Sequence, residues 1–140
     1  MPLVLEMKAG DKIIINGAVV ELNSSHAKLI VHNQVSILRG KEIISEEEAA
    51  TPAARVYFAL QNAYMFPQHA EAYLKQFSTF IDQYVQSCPS AADLVSKIKA
   101  EVENGQLYRA LKKSQELLLH QNKVLQDLEA QLQKQSTDEV

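Results

Sequence analysis

The stretch IISEEEAATPAARVYFAL, Ile43–Leu60, decides the fold because the period of the apolar residues changes within it. Upstream of Ser45, β-branched residues stand in short runs separated by turn residues, which is typical of β-strands. Downstream, apolar residues recur every three or four positions, which is typical of helices. Ser45 and Glu48 fit an N-terminal capping box, and Thr51-Pro52 offers a second possible helix start. The sequence therefore predicts an α+β protein.

The first 45 residues predict a small antiparallel sheet or barrel of about five short strands. The strand-like runs are LVLEM, KIII, AVVEL, KLIVH and VSIL. Gly10-Asp11 marks one turn, and Asn16-Gly17 predicts a tight hairpin because both residues tolerate positive φ. This segment contains no Phe, Tyr or Trp. We name residues 1–45 the β module.

The helical period after the β module predicts a bundle of about four helices over residues 46–134. Pro67, Pro89 and Gly105 interrupt the period, since proline and glycine end helices. The last predicted helix carries leucines seven residues apart, at Leu111, Leu118, Leu125 and Leu132. This seam packs either against the chain's own helices, which we favour, or against another chain in a coiled coil. Residues 135–140 predict a disordered tail.

Composition argues against several classes of function. No apolar run approaches the roughly 18 residues of a membrane span, and the amino terminus lacks the basic segment of a signal peptide, so we expect a cytoplasmic protein. Cys88 stands alone and the four histidines are scattered, without the spacing of metal ligands. Phosphate-cradling glycine motifs are missing. We therefore expect no metal, no cofactor and no enzymatic activity.

The net charge of −3 is divided unevenly along the chain. The β module carries five basic residues against four acidic ones, and the remainder is net negative. The β module is therefore the plausible place for a polyanion to bind. Arg39, in the segment VSILRGKEII, either serves a ligand or pairs with Glu42 at the surface, where an ion pair contributes little stability.

Over nearly its full length the chain resembles the FlbT family, flagellin regulators of alphaproteobacteria. The segments MPLVLEMKAGDKIIINGAVV and EEEAATPAARVYFALQ carry the resemblance. It implies post-transcriptional control of flagellin synthesis through the 5′ untranslated region of flagellin mRNA. In some relatives that association represses translation and promotes mRNA decay, and in others it favours flagellin expression. A small companion protein, FlaF, acts on the same step.

The β module alone is similar in strand order and spacing to CsrA, a small dimeric repressor of translation. The matching segments are LVLEMKAGDKIIING and VSILRGKEI. This similarity implies a homodimer formed through the N-terminal strands, with the first and last strands pairing across the dimer. In this comparison, Arg39 aligns with the RNA-binding arginine of CsrA and Lys8 with a basic residue of its first strand. Met7 stands where CsrA has a second arginine. The predicted RNA-binding residues are Arg39, Lys8, Leu5, Lys41 and Ile37.

Two functions from different classes stay open. The first is a regulator that binds the flagellin mRNA leader through Arg39 and the residues around it. The alternative is a helical adaptor or chaperone that binds flagellin or FlaF and has no direct contact with RNA. Strand order and Arg39 favour the first function, and the weak basic character favours the alternative. Neither function involves a membrane.

Overall fold

The structure of the protein, a computed structural model, describes residues 2–138, which fold into five strands followed by four α-helices. The strands are β1 Leu3–Lys8, β2 Lys12–Ile15, β3 Ala18–Glu21, β4 His26–Val31 and β5 Ile37–Arg39. The helices are α1 Pro52–Met65, α2 Ala70–Ser87, α3 Ala92–Glu103 and α4 Leu107–Asp138. The predicted α+β class is confirmed.

The strands form two antiparallel sheets, a pair β1-β4 and a three-stranded sheet in the order β3-β2-β5. The predicted hairpin turn joins β2 to β3, with φ of 49° at Asn16 and 86° at Gly17. The first and last strands, β1 and β5, each find their partner within the same chain and lie in different sheets. Pairing of these two strands across a homodimer stays a prediction.

The two sheets pack against each other through a small apolar cluster. Its buried members are Leu5, Met7 and Ile13, with Ile15, Leu22, Leu29, Val31 and Ile37 packed around them. Side chains alternate between the two faces of a strand. Because Leu5 and Met7 face inward, Glu6 and Lys8 face solvent. This alternation fixes which charges the module presents.

The other face of the three-stranded sheet belongs to the helical core. Ile14 and Leu38 are buried in the cluster formed by the inward faces of the helices. The side-chain amide of Gln61 on α1 accepts from the Ile44 N–H at 2.8 Å and donates to the Ile44 carbonyl at 2.9 Å. One core therefore crosses the boundary predicted at residues 45 and 46.

The first helix begins at Pro52, the second of the two predicted starts. Ser45 and Glu48 do form capping-box bonds, in which the Glu48 N–H donates to Ser45 Oγ at 3.2 Å, but the chain makes only a turn there. Thr51 caps α1 by accepting from the Ala54 N–H at 3.2 Å. Proline at the next position fits the first helical turn, where no N–H donor is needed.

The predicted interruptions separate the helices. Pro67 and Pro89 each begin a short 3₁₀ turn, and Gly105, with φ of 73°, lies in the turn before α4. Among the helices described within residues 2–138, none has the length and apolarity that crossing a membrane requires.

Helix α4 changes its environment along its 32 residues. Leu111, Ser114 and Leu117 are fully buried in the bundle, whereas Leu125, Leu128 and Leu132 are 51–58% exposed. The leucine seam is therefore buried at Leu111, partly buried at Leu118, and exposed at Leu125 and Leu132.

The carboxyl end of α4 overlaps the predicted tail at 135–140, whose disorder stays a prediction. The helix continues through Asp138, and residues 139 and 140 lie outside the described part of the chain. No glycine or proline follows Gly105 in the sequence, so no strong helix breaker is available there.

Candidate nucleic-acid interface

A groove of about 1010 Å³ lies on the β module, between β1, β2, β4 and the turn that follows β5. All five basic residues of the module line it, namely Lys8, Lys12, Lys28, Arg39 and Lys41, and His26 lies beside them. The carboxylates in the lining are those of Glu6 and Asp11. The fold therefore gathers into one opening the cations that the sequence spreads over 34 positions.

Strand register explains how β1 and β4 contribute to the groove. Lys8 lies opposite His26, and Glu6 lies opposite Lys28. All four side chains belong to the solvent-facing positions of the two strands. Antiparallel pairing thus aligns a row of ionisable groups along one face of this sheet.

The lining holds two carboxylates, Glu6 and Asp11, against five cations, so its charge balance is positive. Glu6 Oε1 lies 3.8 Å from Lys28 Nζ, and both side chains are largely exposed, so the pair is weak. Asp11 Oδ2 accepts the backbone N–H of Lys8 at 2.9 Å, which holds the turn between β1 and β2. The Asp11 carboxylate therefore stabilises this turn.

In the part of the chain that the structure describes, four cations at the groove have no acidic partner. Within the described residues, no carboxylate oxygen lies within 4 Å of the side-chain nitrogens of Lys8, Lys12, Arg39 or Lys41. These side chains are exposed. They are consequently available to an anionic ligand.

Arg39 ends β5 opposite Ile13 of β2. The next residue, Gly40, approaches β2 so closely that a Cβ built there would lie 3.3 Å from the backbone oxygen of Lys12. A larger residue at this position would push the turn away from the sheet. Glycine therefore keeps Arg39 and Lys41 against the groove.

The surface ion pair between Arg39 and Glu42, considered from the sequence, is not present among the described residues. Glu42 is 7% exposed and has other partners. Its Oε2 lies 2.6 Å from Lys112 Nζ and accepts the Tyr108 hydroxyl at 2.9 Å, while its Oε1 accepts only the backbone N–H of Arg39, at 3.0 Å. The Arg39 guanidinium is left without this carboxylate.

The hydrogen bonds and the ion pair of Glu42 keep its carboxyl group ionised. Burial by itself would raise the pKa of the Glu42 carboxyl, but hydrogen bonds from Lys112, the Arg39 backbone and Tyr108 outweigh it and lower the pKa below the ordinary 4.5. The same contact with Glu42 raises the pKa of Lys112. Both groups are ionised at neutral pH.

The structure brings together four of the five predicted RNA-binding residues. Leu5, Lys8, Arg39 and Lys41 line the groove within one chain, so a second copy is not needed to place Lys8 near Arg39. Ile37 does not line it. Ile37 lies two residues before Arg39 on β5 and packs in the apolar cluster between the two sheets.

Sequence reasoning missed Lys12, Lys28 and His26 as groove residues. The segment HAKLIV carries a signal, because His26 and Lys28 occupy alternate positions and must share a face if the segment is a strand. Locating that face beside β1 requires the β1-β4 pairing, which no local pattern specifies.

A second polar cluster, away from the groove, joins α4 to α2. Nδ1 of His120 lies 2.8 Å from the Tyr84 hydroxyl, and Nε2 lies 3.0 Å from Ser90 Oγ. Burial and the neighbouring Cys88 raise the pKa of Tyr84 to about 12, so the hydroxyl keeps its proton. Among the described residues, no three His, Cys, Asp or Glu side chains converge as metal ligands would. Through these two contacts, His120 links α4 to α2 and to the turn before α3.

Residues 3–125 of the chain match the family model described as flagellar protein FlbT. A "Probable flagellum biosynthesis repressor protein FlbT" of Caulobacter sp. (strain K31) is 33% identical over 128 residues, which cover 89% of this chain and 97% of that protein. A relative from Bradyrhizobium diazoefficiens, named "Probable flagellum biosynthesis repressor protein FlbT 1", is 32% identical over 139 residues, covering 99% and 94%. The "Flagellum biosynthesis repressor protein FlbT" of Caulobacter vibrioides is 31% identical over 127 residues, covering 89% and 90%. No solved structure matches the chain.

Proposed function

Because this chain belongs to the FlbT family, we propose that it regulates flagellin synthesis by binding the 5′ untranslated region of flagellin mRNA in the cationic groove. Its relatives are named flagellum biosynthesis repressors, which supports a regulatory role in flagellar synthesis. The observation that carries the RNA-binding step is the groove itself, where all five basic residues of the β module meet. Occupying the leader would alter both translation and decay of the message.

The groove suits a phosphate backbone better than a stack of bases. Its described lining contains no Phe, Tyr or Trp on which a base could stack. Lysine ammonium groups neutralise phosphates, and the release of counterions then drives binding. The planar fork of Arg39 can engage a phosphate or the edge of a guanine through two parallel hydrogen bonds. Arg39 is thus the residue best suited to add selectivity.

A direct binding assay tests this function. The full-length protein is titrated into fluorescently labelled flagellin leader RNA at several salt concentrations, with fluorescence anisotropy as the signal. We expect the affinity to fall with salt by about 0.7 log units per neutralised phosphate for each tenfold increase. A shuffled leader of the same length serves as the control for sequence preference. Absence of binding, or binding indifferent to salt, would contradict the proposal.

A second candidate function, a protein adaptor for flagellin or FlaF, is favoured by the exposed half of α4. Leu125, Leu128 and Leu132 extend the same seam that Leu111 buries in the bundle. Exposed apolar faces of this kind can bind a partner helix. Substituting Leu125 and Leu128 by lysine separates the candidates: an adaptor would lose flagellin or FlaF in a pull-down, whereas the RNA-binding function predicts unchanged affinity for leader RNA.

A further inference from the structure

Glu42 is the buried carboxylate among the described residues, and in the chain it directly follows the groove residues Arg39, Gly40 and Lys41. The 3₁₀ turn Gly40–Glu42 directly follows Arg39, so the chain passes from the groove edge to the interior within three residues. The Tyr57 hydroxyl of α1 donates to the backbone oxygen of Glu42. The side chain of Glu42 faces α4, where Tyr108 and Lys112 meet it.

Lys112 is the cation that satisfies this carboxylate. Its Nζ lies 2.6 Å from Glu42 Oε2 and 5.4 Å from the centre of the Tyr108 ring. Lys112 does not belong to the groove lining. Its charge is directed into the junction between the β module and α4.

Removing Lys112 would leave a buried carboxylate without a cation, which is strongly unfavourable. Arg39 is well placed to replace it. Its backbone N–H already donates to Glu42 Oε1 at 3.0 Å, and the long side chain starts from the same residue. A guanidinium drawn to Glu42 would no longer reach across the groove.

We propose that Lys112 is a positioning residue of the groove: by pairing with Glu42, it keeps the guanidinium of Arg39 free to bind phosphate. The inference rests on the proposed function, in which Arg39 contacts RNA. Lys112 itself touches no RNA. Its effect passes through the Glu42 carboxylate.

The first test measures the Kd for leader RNA in four variants of the full-length protein. Lys112→Met should weaken binding about three- to fivefold, the effect of diverting one ion pair. Adding Glu42→Gln to Lys112→Met should restore the affinity to within about twofold, since glutamine still accepts the Arg39 N–H but carries no charge. Lys112→Arg, which keeps the cation, and Lys113→Met, a matched loss of charge on the same helix, should bind like the wild type.

The second test does not use RNA. Phenylglyoxal modifies accessible guanidinium groups, and peptide mass spectrometry follows each arginine separately. Lys112→Met should slow modification of Arg39 by about threefold or more, the scale of one ion pair, while Arg55 and Arg109 act as references within the same chain. The double variant with Glu42→Gln should react like the wild type.

The two tests separate the inference from the proposed function. Unchanged Arg39 reactivity in Lys112→Met would overturn the inference, whatever the RNA result. A loss of RNA affinity that Glu42→Gln does not restore would also overturn it, since Lys112 would then contact RNA directly. Slower Arg39 modification in a protein that binds no leader RNA would support the pairing and contradict the proposed function instead.

Discussion

Among the residues that line the groove, Arg39 has the side chain best suited to hold a phosphate. Its five donors form a rigid planar fork, which a lysine ammonium cannot reproduce. We predict that Arg39→Ala loses about 1–3 kcal/mol of leader-RNA binding free energy and that Arg39→Lys restores only part of it. Because no ion pair anchors the guanidinium among the described residues, the melting temperature should change little.

Arg109→Ala provides the matched control for Arg39→Ala, since Arg109 is exposed on α4 and does not line the groove. It should leave RNA affinity unchanged. A different outcome, in which Arg39→Ala binds RNA normally but melts several degrees lower, would make Arg39 a structural residue.

Glu42 gives the folded protein a pH dependence of definite sign. Its pKa is lower in the folded state than the ordinary 4.5, so the unfolded chain takes up the proton first as the pH falls. The stability that Glu42 contributes is therefore complete above 4.5 and is lost as the pH falls through the folded pKa. We predict that Glu42→Gln lowers the free energy of unfolding by about 1–3 kcal/mol at neutral pH.

Urea denaturation of wild type and Glu42→Gln between pH 7 and pH 3 checks this prediction. The difference between the two should shrink as the pH falls below the ordinary 4.5. A difference that stays constant over the whole range would mean that the charge of Glu42 does not stabilise the fold.

At the scale of elements, α4 combines a core helix with an exposed one. Leu117→Ala should cost about 2–5 kcal/mol of unfolding free energy, because a fully buried side chain leaves a cavity. Leu125→Ala, the same substitution two turns later, should cost less than about 0.5 kcal/mol. Chemical denaturation measures both. Equal losses would show that the second half of α4 also packs against the protein.

Local signals in the sequence predicted most element boundaries. Asn16-Gly17, Pro67, Pro89 and Gly105 act on their own backbone, so their effect is independent of the rest of the chain. Local sequence did not determine which of the two possible starts α1 would use.

The start of α1 is fixed from α4, some 70 residues away in sequence. Gln121 donates to Thr51 Oγ1 at 2.9 Å and accepts the Ala53 N–H at 3.0 Å. No sequence feature near Ser45 indicates that Gln121 contacts the start of α1. The capping box at Ser45 was therefore recognisable, but its failure to start a helix was not.

For the groove, as for the helix boundaries, the sequence predicted some residues, whereas others depend on long-range contacts. Arg39 and Lys8 were predicted as RNA-binding residues through the similarity to CsrA; both line the groove, and their role stays a prediction. Lys12 and Lys28 reach it only through strand pairing, which depends on residues distant in sequence. The pairing of Glu42 with Lys112 likewise joins residues 70 positions apart.

For the whole molecule, we predict a homodimer in which sheet edges of the N-terminal strands pair between two copies. β3 lies at the edge of its sheet, and Val19 on it is 67% exposed. Exposed edges of this kind tend to pair. We predict that light scattering of the full-length protein shows a dimer, and that Val19→Lys lowers the dimer fraction whereas Leu125→Lys does not.

The full-length chain is the right material for this measurement. Ile14 and Leu38 are buried in the helical core, so an isolated β module would expose them. A monomer would contradict the prediction. Loss of the dimer in Leu125→Lys alone would assign the dimer interface to α4 instead.

The salt dependence of a groove variant shows whether RNA phosphates bind in the cationic groove, as we propose. Log Kd for leader RNA is measured against log salt for wild type, for Lys8→Ala with Arg39→Ala, and for a control with Lys97→Ala and Arg109→Ala. Both doubles remove two positive charges, but only the first removes charges from the groove. We expect the groove variant's slope to fall by about 0.7 for each phosphate that it no longer neutralises, and the control to keep the wild-type slope. Equal slopes in the two doubles would contradict the proposal.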